Sequence, residues 1–326
     1  MAQQPYRKEP TEYYSTQDLK NVEFINGWLE ARKLSKDGVE RISQAALARM
    51  ARIGVSTFSQ VLSMSYGASP SKLIEQVLSA IRHADEQESD VIPAVETSVF
   101  KLVQTACTTA RRSRNFSVMS AYVGTGKTFA LRYYTRHNAN TFMIEANPTL
   151  TPTTIIKKLA QTIIGHDVGG KIYDQFEAVV NELKNTDSLI ILDEAETLTP
   201  KQLEILRRIR DTANVGVVLA GTEYLTGLIR PEHGQFDQIR SRTGFWPETV
   251  RRITKEDSAA LVQAAFPGED VSDEVIERMV QYSAGSARML VEGLVANIHQ
   301  FRKGRELDVK LVDAVASQAL CLHPVK

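Results

Sequence analysis

Residues 116–128 constrain this chain more than any other stretch. The apolar run Phe116-Ser117-Val118-Met119 leads into Ala121-Tyr122-Val123-Gly124-Thr125-Gly126-Lys127-Thr128, and a helical pattern, Phe129–Thr135, follows. Strand, glycine-bearing loop, Lys-Thr and helix is the order a phosphate-binding loop requires. Its glycines let backbone N–H groups turn inward toward phosphate oxygens, and the helix N-terminus adds its dipole. Gly124, Thr125 and Gly126 would then line a bound nucleotide. Lys127 would bring positive charge to the β- and γ-phosphates, and Thr128 would offer a hydroxyl to Mg²⁺. The first glycine of the GxxxxGK[ST] pattern is Ala121 here.

A second segment completes the chemistry. Leu189-Ile190-Ile191-Leu192 runs directly into Asp193-Glu194. In a parallel sheet this places both carboxylates at the carboxyl end of a buried strand, beside the phosphate loop. Asp193 is then the candidate for the Mg²⁺ shell and Glu194 for the general base that polarises the attacking water. The plain alternative is a strand ending in a solvated acidic turn.

The remainder of the pattern predicts an α/β fold. Phe142-Met143-Ile144 and Val217-Val218-Leu219 join the two runs above as short apolar segments separated by helical stretches. Such runs read as strands of a parallel sheet covered on both faces. Beyond about Thr254 strand signals stop, and helices are expected over Asp273–Ser283, Ser286–Phe301 and Asp308–Ala319. The boundaries that follow are a loose arm at 1–17, a helical domain at 18–84, a linker at 85–94 containing Asp85-Glu86-Gln87-Glu88-Ser89-Asp90, an α/β core at 95–253 and a helical part at 254–326.

Composition excludes several classes. Apolar residues make up 43% of the chain, enough for real cores, but no run approaches the roughly 18 residues of a membrane span. The polar N-terminus does not read as a secretory signal. Cys107 and Cys321 lie far apart, so zinc and disulfide frameworks are excluded and an intracellular, soluble chain is expected. Net charge is zero, yet Thr97 to Ile144 holds seven Lys/Arg and no acids, so local basic surface is available. The same charges also fit a solvated helix face plus one phosphate-binding lysine.

In the helical domain, Ser43 can cap a helix through Ala51, Gly54 occupies a turn, and Ser56 can cap a second helix over Thr57–Met64. Small Ala48 and apolar Val55, Val61 and Leu62 are expected to face inward, with Phe24 and Trp28 in the small core. This pattern resembles the helix-turn-helix of phage repressors. Ser56, Thr57 and Gln60 would then be free for phosphates or base edges. Nine Lys/Arg against six Asp/Glu between Asp18 and Ala84 give modest charge support for DNA, and docking to protein stays open.

From about Val95 onward, Gly124–Thr128 with Asp193-Glu194 resembles the AAA+ superfamily of P-loop ATPases, which implies ATP, a sheet flanked by helices and a helical lid. Three further positions match that family's motifs. Thr222, after the strand at 217–220, matches the polar sensor that orients the hydrolytic water. Ile239-Arg240-Ser241-Arg242 is similar to the arginine-finger motif, with Arg242 as the finger and Arg240 in reserve. Gly285-Ser286-Ala287-Arg288 resembles the GxxR sensor, so Arg288 would contact the γ-phosphate in cis. A finger given in trans implies an ATP-dependent homo-oligomer, a ring or a helical filament.

The order of a repressor-like domain before an initiator-like AAA+ module resembles the target-DNA activator B family of Mu-like phages, and more distantly the ATPase subunits of Tn7-like elements. That resemblance implies polymerisation on double-stranded DNA, delivery to a transposase, and a place in the cytoplasm of a bacterial host. Candidate DNA contacts are the loop carrying Thr149 and Thr151 with the following Lys157 and Lys158, and a second cluster of Lys201, Arg207, Arg208 and Arg210. Either cluster also fits a solvated helix face. Two rival readings are an ATP-switched transcription regulator and a loader or remodeller acting on protein.

Overall fold

A computed structural model describes residues 13–34, 42–89, 93–166, 168–229 and 237–323. The chain divides into two compact units, residues 1–91 and 92–326. Most of the expected arm and residues 90–92 of the expected linker lie outside the described residues.

The first unit is helical: α1 (Thr16–Leu34), α2 (Gln44–Met50), α3 (Val55–Leu62) and α4 (Ser71–Ser89). Its core gathers Val22, Ile25 and Leu29 of α1, Leu47 and Ala48 of α2, Phe58 and Val61 of α3, and Ile74, Val77 and Ile81 of α4. Ser43 caps α2 as expected, its Oγ accepting from the Ala46 N–H at 3.1 Å. The start of α3 differs. Its cap is Gly54 and the helix begins at Val55, so Ser56 lies inside the first turn. That shift turns Val55 outward, 46% exposed, while Phe58 fills the core. Phe24 is also on the outer face of α1 and Trp28 is only half-buried. Asp85–Ser89, expected in the linker, continues α4.

The second unit is built on a five-stranded parallel sheet in the order β2-β3-β4-β1-β5. Its first part runs α5 (Ser98–Ser113), β1 (Phe116–Ser120), α6 (Lys127–His137), β2 (Thr141–Glu145), α7 (Pro152–Ile164), α8 (Ile172–Leu183) and β3 (Leu189–Asp193). A 3₁₀ turn at Ala195–Thr197 precedes α9 (Pro200–Ala213), β4 (Gly216–Gly221), α10 (Glu223–Ile229), α11 (Asp237–Arg240) and β5 (Thr243–Phe245). The four expected strands are present. β5 was not foreseen, because a three-residue edge strand carries no readable alternation.

Every residue of β1, β3 and β4 is buried. Side-chain alternation splits these strands between two apolar layers. Leu189, Ile191, Val218 and Ala220 face α5, α6 and the C-terminal helices. Ile190, Leu192, Val217 and Leu219 face α7, α8 and α9. Capping fixes the helix starts: Thr151 and Thr154 form a reciprocal box before Pro152, and Thr199 and Gln202 do the same before Pro200.

The chain ends in helices: α12 (Lys255–Ala265), α13 (Asp273–Ser283), α14 (Ala296–Arg302) and α15 (Val309–Ala319). The single helix expected over 286–301 is interrupted by a π-helical segment, Met289–Val295. Phe266, Met279, Leu290, Ile298 and Val312 of this region join the apolar layer that covers α5 and the sheet. Among the described residues, no helix is long and apolar enough to cross a membrane.

Candidate nucleotide-binding site

The loop after β1 turns on two glycines in left-handed conformation, Gly124 at φ 82° and Gly126 at φ 92°. Gly126 caps α6, whose first turn holds no acidic residue. Its orphan N–H groups and dipole therefore meet no competing carboxylate on their own helix. Ala121 keeps a negative φ. It is buried, extends β1 through a bridge to Val250, and donates its N–H to the Gly221 carbonyl. The backbone there does not require glycine, so alanine fits the position.

Lys127 and Thr128, the first two residues of α6, meet the end of β3. The Lys127 Nζ lies 2.6 Å from Asp193 Oδ1, and the Thr128 hydroxyl donates to Asp193 Oδ2 at 2.7 Å. Both charged partners are buried. Such a pair persists only because its remaining bonds are satisfied, and the Glu194 N–H supplies one more to Asp193 Oδ1 at 2.9 Å.

Glu194 adopts a left-handed backbone at φ 54° and leads into the 3₁₀ turn Ala195–Thr197. Its carboxyl has a raised proton affinity. Partial loss of hydration contributes most, followed by the negative fields of Glu145, Asp193 and Glu196, with Lys127 opposing them. Glu145 comes from the end of β2, in register with Asp193, and pairs with Arg132 at 3.1 Å. Glu145 and Glu196 were not identified from sequence. Only the pairing of β2 with β3 brings the first of them here.

β4 lies between β3 and β1, so Thr222, the next residue, emerges between the acidic turn and the phosphate loop. Its hydroxyl is buried and has no hydrogen-bond partner among the described residues. Hard oxygen donors, an adjacent lysine and an N-terminal helix turn suit a nucleotide's phosphates. A model of the AAA domain matches residues 109–229, the stretch that supplies all of these groups. The chain carries an AAA+ ATPase module.

The module has relatives in sequence and in fold. The chain is 23% identical over 262 residues to the Mu-like prophage FluMu DNA transposition protein B of Haemophilus influenzae, covering 77% of this chain and 90% of that protein. It is 28% identical over 207 residues to the ATP-dependent target DNA activator B of Escherichia phage Mu, covering 61% of this chain and 64% of that one. Among solved structures it is similar to the Aeropyrum pernix ORC1 protein in complex with DNA, with a TM-score of 0.51 at 18% identity over 70% of this chain and 67% of that one. A Walker-type ATPase of Pyrococcus abyssi gives the same TM-score at 15% identity, over 71% of this chain and 73% of that one. At these identities the structural likeness speaks for the AAA+ fold alone.

The C-terminal helices of the module reach its phosphate loop. The Arg288 N–H donates to the Gly124 carbonyl at 2.9 Å, and the Ser286 hydroxyl lies 3.5 Å from the same oxygen. The Arg288 guanidinium is mostly exposed, 3.6 Å from Glu292. Arg242 stands elsewhere. Its carbonyl accepts from the N–H of Phe116, the first residue of β1, whereas the phosphate loop follows the last. Five strand residues separate them by about 16 Å. Its Nε donates to Asp211 Oδ1 at 2.9 Å and its Nη1 to the Gln238 carbonyl at 2.9 Å. Arg240 pairs with Asp237 at 3.2 Å.

The expected DNA contacts divide. Thr151 is engaged with Thr154 as a helix cap, and the Thr149 hydroxyl donates to Asn147 at 2.5 Å. Lys157 is exposed, while Lys158 reaches back to the Glu145 carbonyl at 3.4 Å. In the second cluster Arg207 and Arg208 pair with Glu204, and Arg207 and Arg210 pair with Asp211, so two carboxylates of α9 offset part of their charge. Lys201 of that group is exposed. In the first unit Ser56 and Gln60 are exposed on α3 and Thr57 is half-buried.

Proposed function

We propose that the chain couples ATP hydrolysis to assembly on double-stranded DNA and presents that DNA to a transposase. The observation that carries this reading is the separation of Arg242 from Lys127 across the sheet. A site holding the lysine, the acidic turn, the sensor and Arg288, but not the arginine finger, is complete only when a second copy supplies one. An enzyme that works between copies suits a ring or helical filament wound on a duplex. The names of the relatives, DNA transposition protein B and ATP-dependent target DNA activator B, point the same way. Such a protein acts in the cytoplasm of a bacterial host.

Each side chain then has a task. Lys127 neutralises the β- and γ-phosphates, and the backbone of Gly124, Thr125 and Gly126 encloses them. Thr128 and Asp193, whose oxygens lie 2.7 Å apart, fit Mg²⁺, which takes one or two protein oxygens and completes its shell with phosphate and water. Bound there, Mg²⁺ offsets the charge that develops on the transferred phosphoryl group. Glu194 accepts the proton of the attacking water, and its raised proton affinity suits a base. Thr222 orients that water. Arg288 reaches the γ-phosphate from the lid of the same copy, and Arg242 reaches it from the next.

Exposed Lys157 can hold a phosphate without reading bases, which suits a protein that accepts many targets. The test is electron microscopy of the purified chain with random-sequence duplex, with and without ATP. Continuous ATP-dependent assemblies on arbitrary DNA are expected. Isolated particles at one preferred site, or none on DNA, would discard the reading. A second reading, an ATP-switched regulator, is favoured by the exposed Ser56 and Gln60 of α3, and it requires preference for one site by orders of magnitude.

A further inference from the structure

Glu196 sits in the 3₁₀ turn two residues beyond Glu194. Its Oε2 is buried and has no hydrogen-bond partner among the described residues. That oxygen lies against the backbone of Gly221, the last residue of β4: a Cβ placed on Gly221 would stand 2.2 Å from it. Only glycine lets the carboxylate approach so closely. The residue that follows is Thr222, whose hydroxyl is likewise buried without a partner. A carboxylate oxygen only accepts, and a hydroxyl can donate, so the two orphaned groups are complementary. Both oxygens have been removed from water, one against Gly221 and the other on the next residue, and buried polar atoms are ordinarily paired.

We propose that Glu196 is a positioning residue for hydrolysis: its carboxylate takes the Thr222 hydroxyl and fixes the Gly221–Thr222 segment beside Glu194. The lone pairs of Thr222 are then turned toward the water, while its proton is held by Glu196. The role is distinct from that of Glu194, since Glu196 touches no reacting atom. It rests on the reading of Glu194 and Thr222 as the groups that handle the water. Glu223, the first residue of α10, also buries an unpartnered Oε2 and serves as the control for a carboxylate that is merely nearby.

The test uses the full chain and compares Glu196→Ala, Glu196→Gln, Thr222→Ala, the Glu196→Ala/Thr222→Ala double variant and Glu223→Gln. ATP turnover gives kcat and KM, and a fluorescent ATP analogue gives affinity. Glu196→Ala is expected to lower kcat about tenfold or more, with affinity changed by less than about threefold. Glu196→Gln keeps an acceptor oxygen and retains most of the rate. The double variant is expected to be no slower than the slower single variant, because the two side chains act as one unit. Independent, multiplying losses would overturn the proposal, as would equal loss in Glu196→Gln and Glu196→Ala or the same pattern in Glu223→Gln. Should Glu196→Ala not fold, Gly221→Ala, whose Cβ displaces the carboxylate, takes its place in the cycle with Thr222→Ala. Glu194→Gln separates the two readings. If it still turns over, the hydrolytic site itself is wrong; if it is dead while Glu196 and Thr222 behave independently, only this proposal falls.

Discussion

The backbone N–H of Arg288 donates to the carbonyl of Gly124 at 2.9 Å, so the C-terminal helices are bonded to the phosphate loop itself. Gly124 is held at φ 82°, and a Cβ there would lie 2.5 Å from the Ser286 hydroxyl. Gly124→Ala therefore meets both a left-handed backbone and a clash. The backbone cost alone is about 1–2 kcal/mol, or roughly tenfold in nucleotide affinity. Titration with a fluorescent ATP analogue checks this. Adding Ser286→Gly should recover only the part due to the clash. Full recovery would mean that the loop tolerates alanine.

Lys127 and Asp193 are buried against each other at 2.6 Å. Removing one partner of such a pair leaves the other's charge without compensation. Lys127→Ala should cost stability near the lower end of roughly 3–5 kcal/mol, because Thr128 and the Glu194 N–H still serve Asp193. Nucleotide binding should vanish with it. Chemical denaturation reads the first effect, and an unchanged midpoint would show that the pair contributes nothing to the fold.

If Arg242 completes the site of a neighbouring copy, two inactive variants should repair each other. Arg242→Ala retains Glu194, and Glu194→Gln retains Arg242. Mixed in equal amounts with DNA, they should regain on the order of a quarter of the wild-type turnover, as expected when one junction in four joins two intact halves. No recovery at any ratio would place Arg242 outside the chemistry. Asp211→Ala frees the Arg242 side chain from its 2.9 Å bond and should lower turnover in assemblies while leaving ATP affinity of the single chain unchanged.

Arg207 holds the Glu204 carboxyl down to about 2, from an ordinary value of 4.5. A carboxylate depressed in the folded chain adds stability above its unfolded pKa and loses it as pH falls through the folded value. Wild type should thus exceed Glu204→Gln above pH 4.5 and converge with it toward pH 2. Glu204 is well exposed, so solvent screening limits the gap to under about 1 kcal/mol. Urea unfolding at a series of pH values checks the sign.

The Ser43 Oγ caps α2 through the Ala46 N–H. Ser43→Ala should cost about 1 kcal/mol and speed hydrogen exchange at Ala46 and its neighbours. Unchanged exchange there would mean that water serves the helix end equally well.

Much of the candidate site could be read along the chain, because its parts are local. Gly124 to Thr128 is one loop, and Asp193-Glu194 is the end of one strand. A buried parallel strand demands a continuous apolar run, so Leu189–Leu192 announces where the acids must emerge. The cap at Ser43 and the helix Asp273–Ser283 were legible for the same reason. Where choices were nearly equal in local energy, the reading slipped. Gly54 and Ser56 can both begin a helix, and burial of Phe58 decided for Gly54, turning Val55 outward.

Tertiary structure alone decided the rest, since it concerns groups that meet only after the strands pair. The order β2-β3-β4-β1-β5 sets Glu145 beside Asp193 and Thr222 between the two loops. Folding of α9 against the segment before β5 gives Asp211 to Arg242, and charges that looked free in sequence are consumed in pairs. Return of the C-terminal helices lays Ser286 on Gly124. Sequence spacing carries the chemistry of neighbours in the chain. Which carboxylates lie beside Glu194, and which arginines are paired within the chain, depends on contacts whose partners lie tens of residues apart and whose energy comes from burial on the sheet.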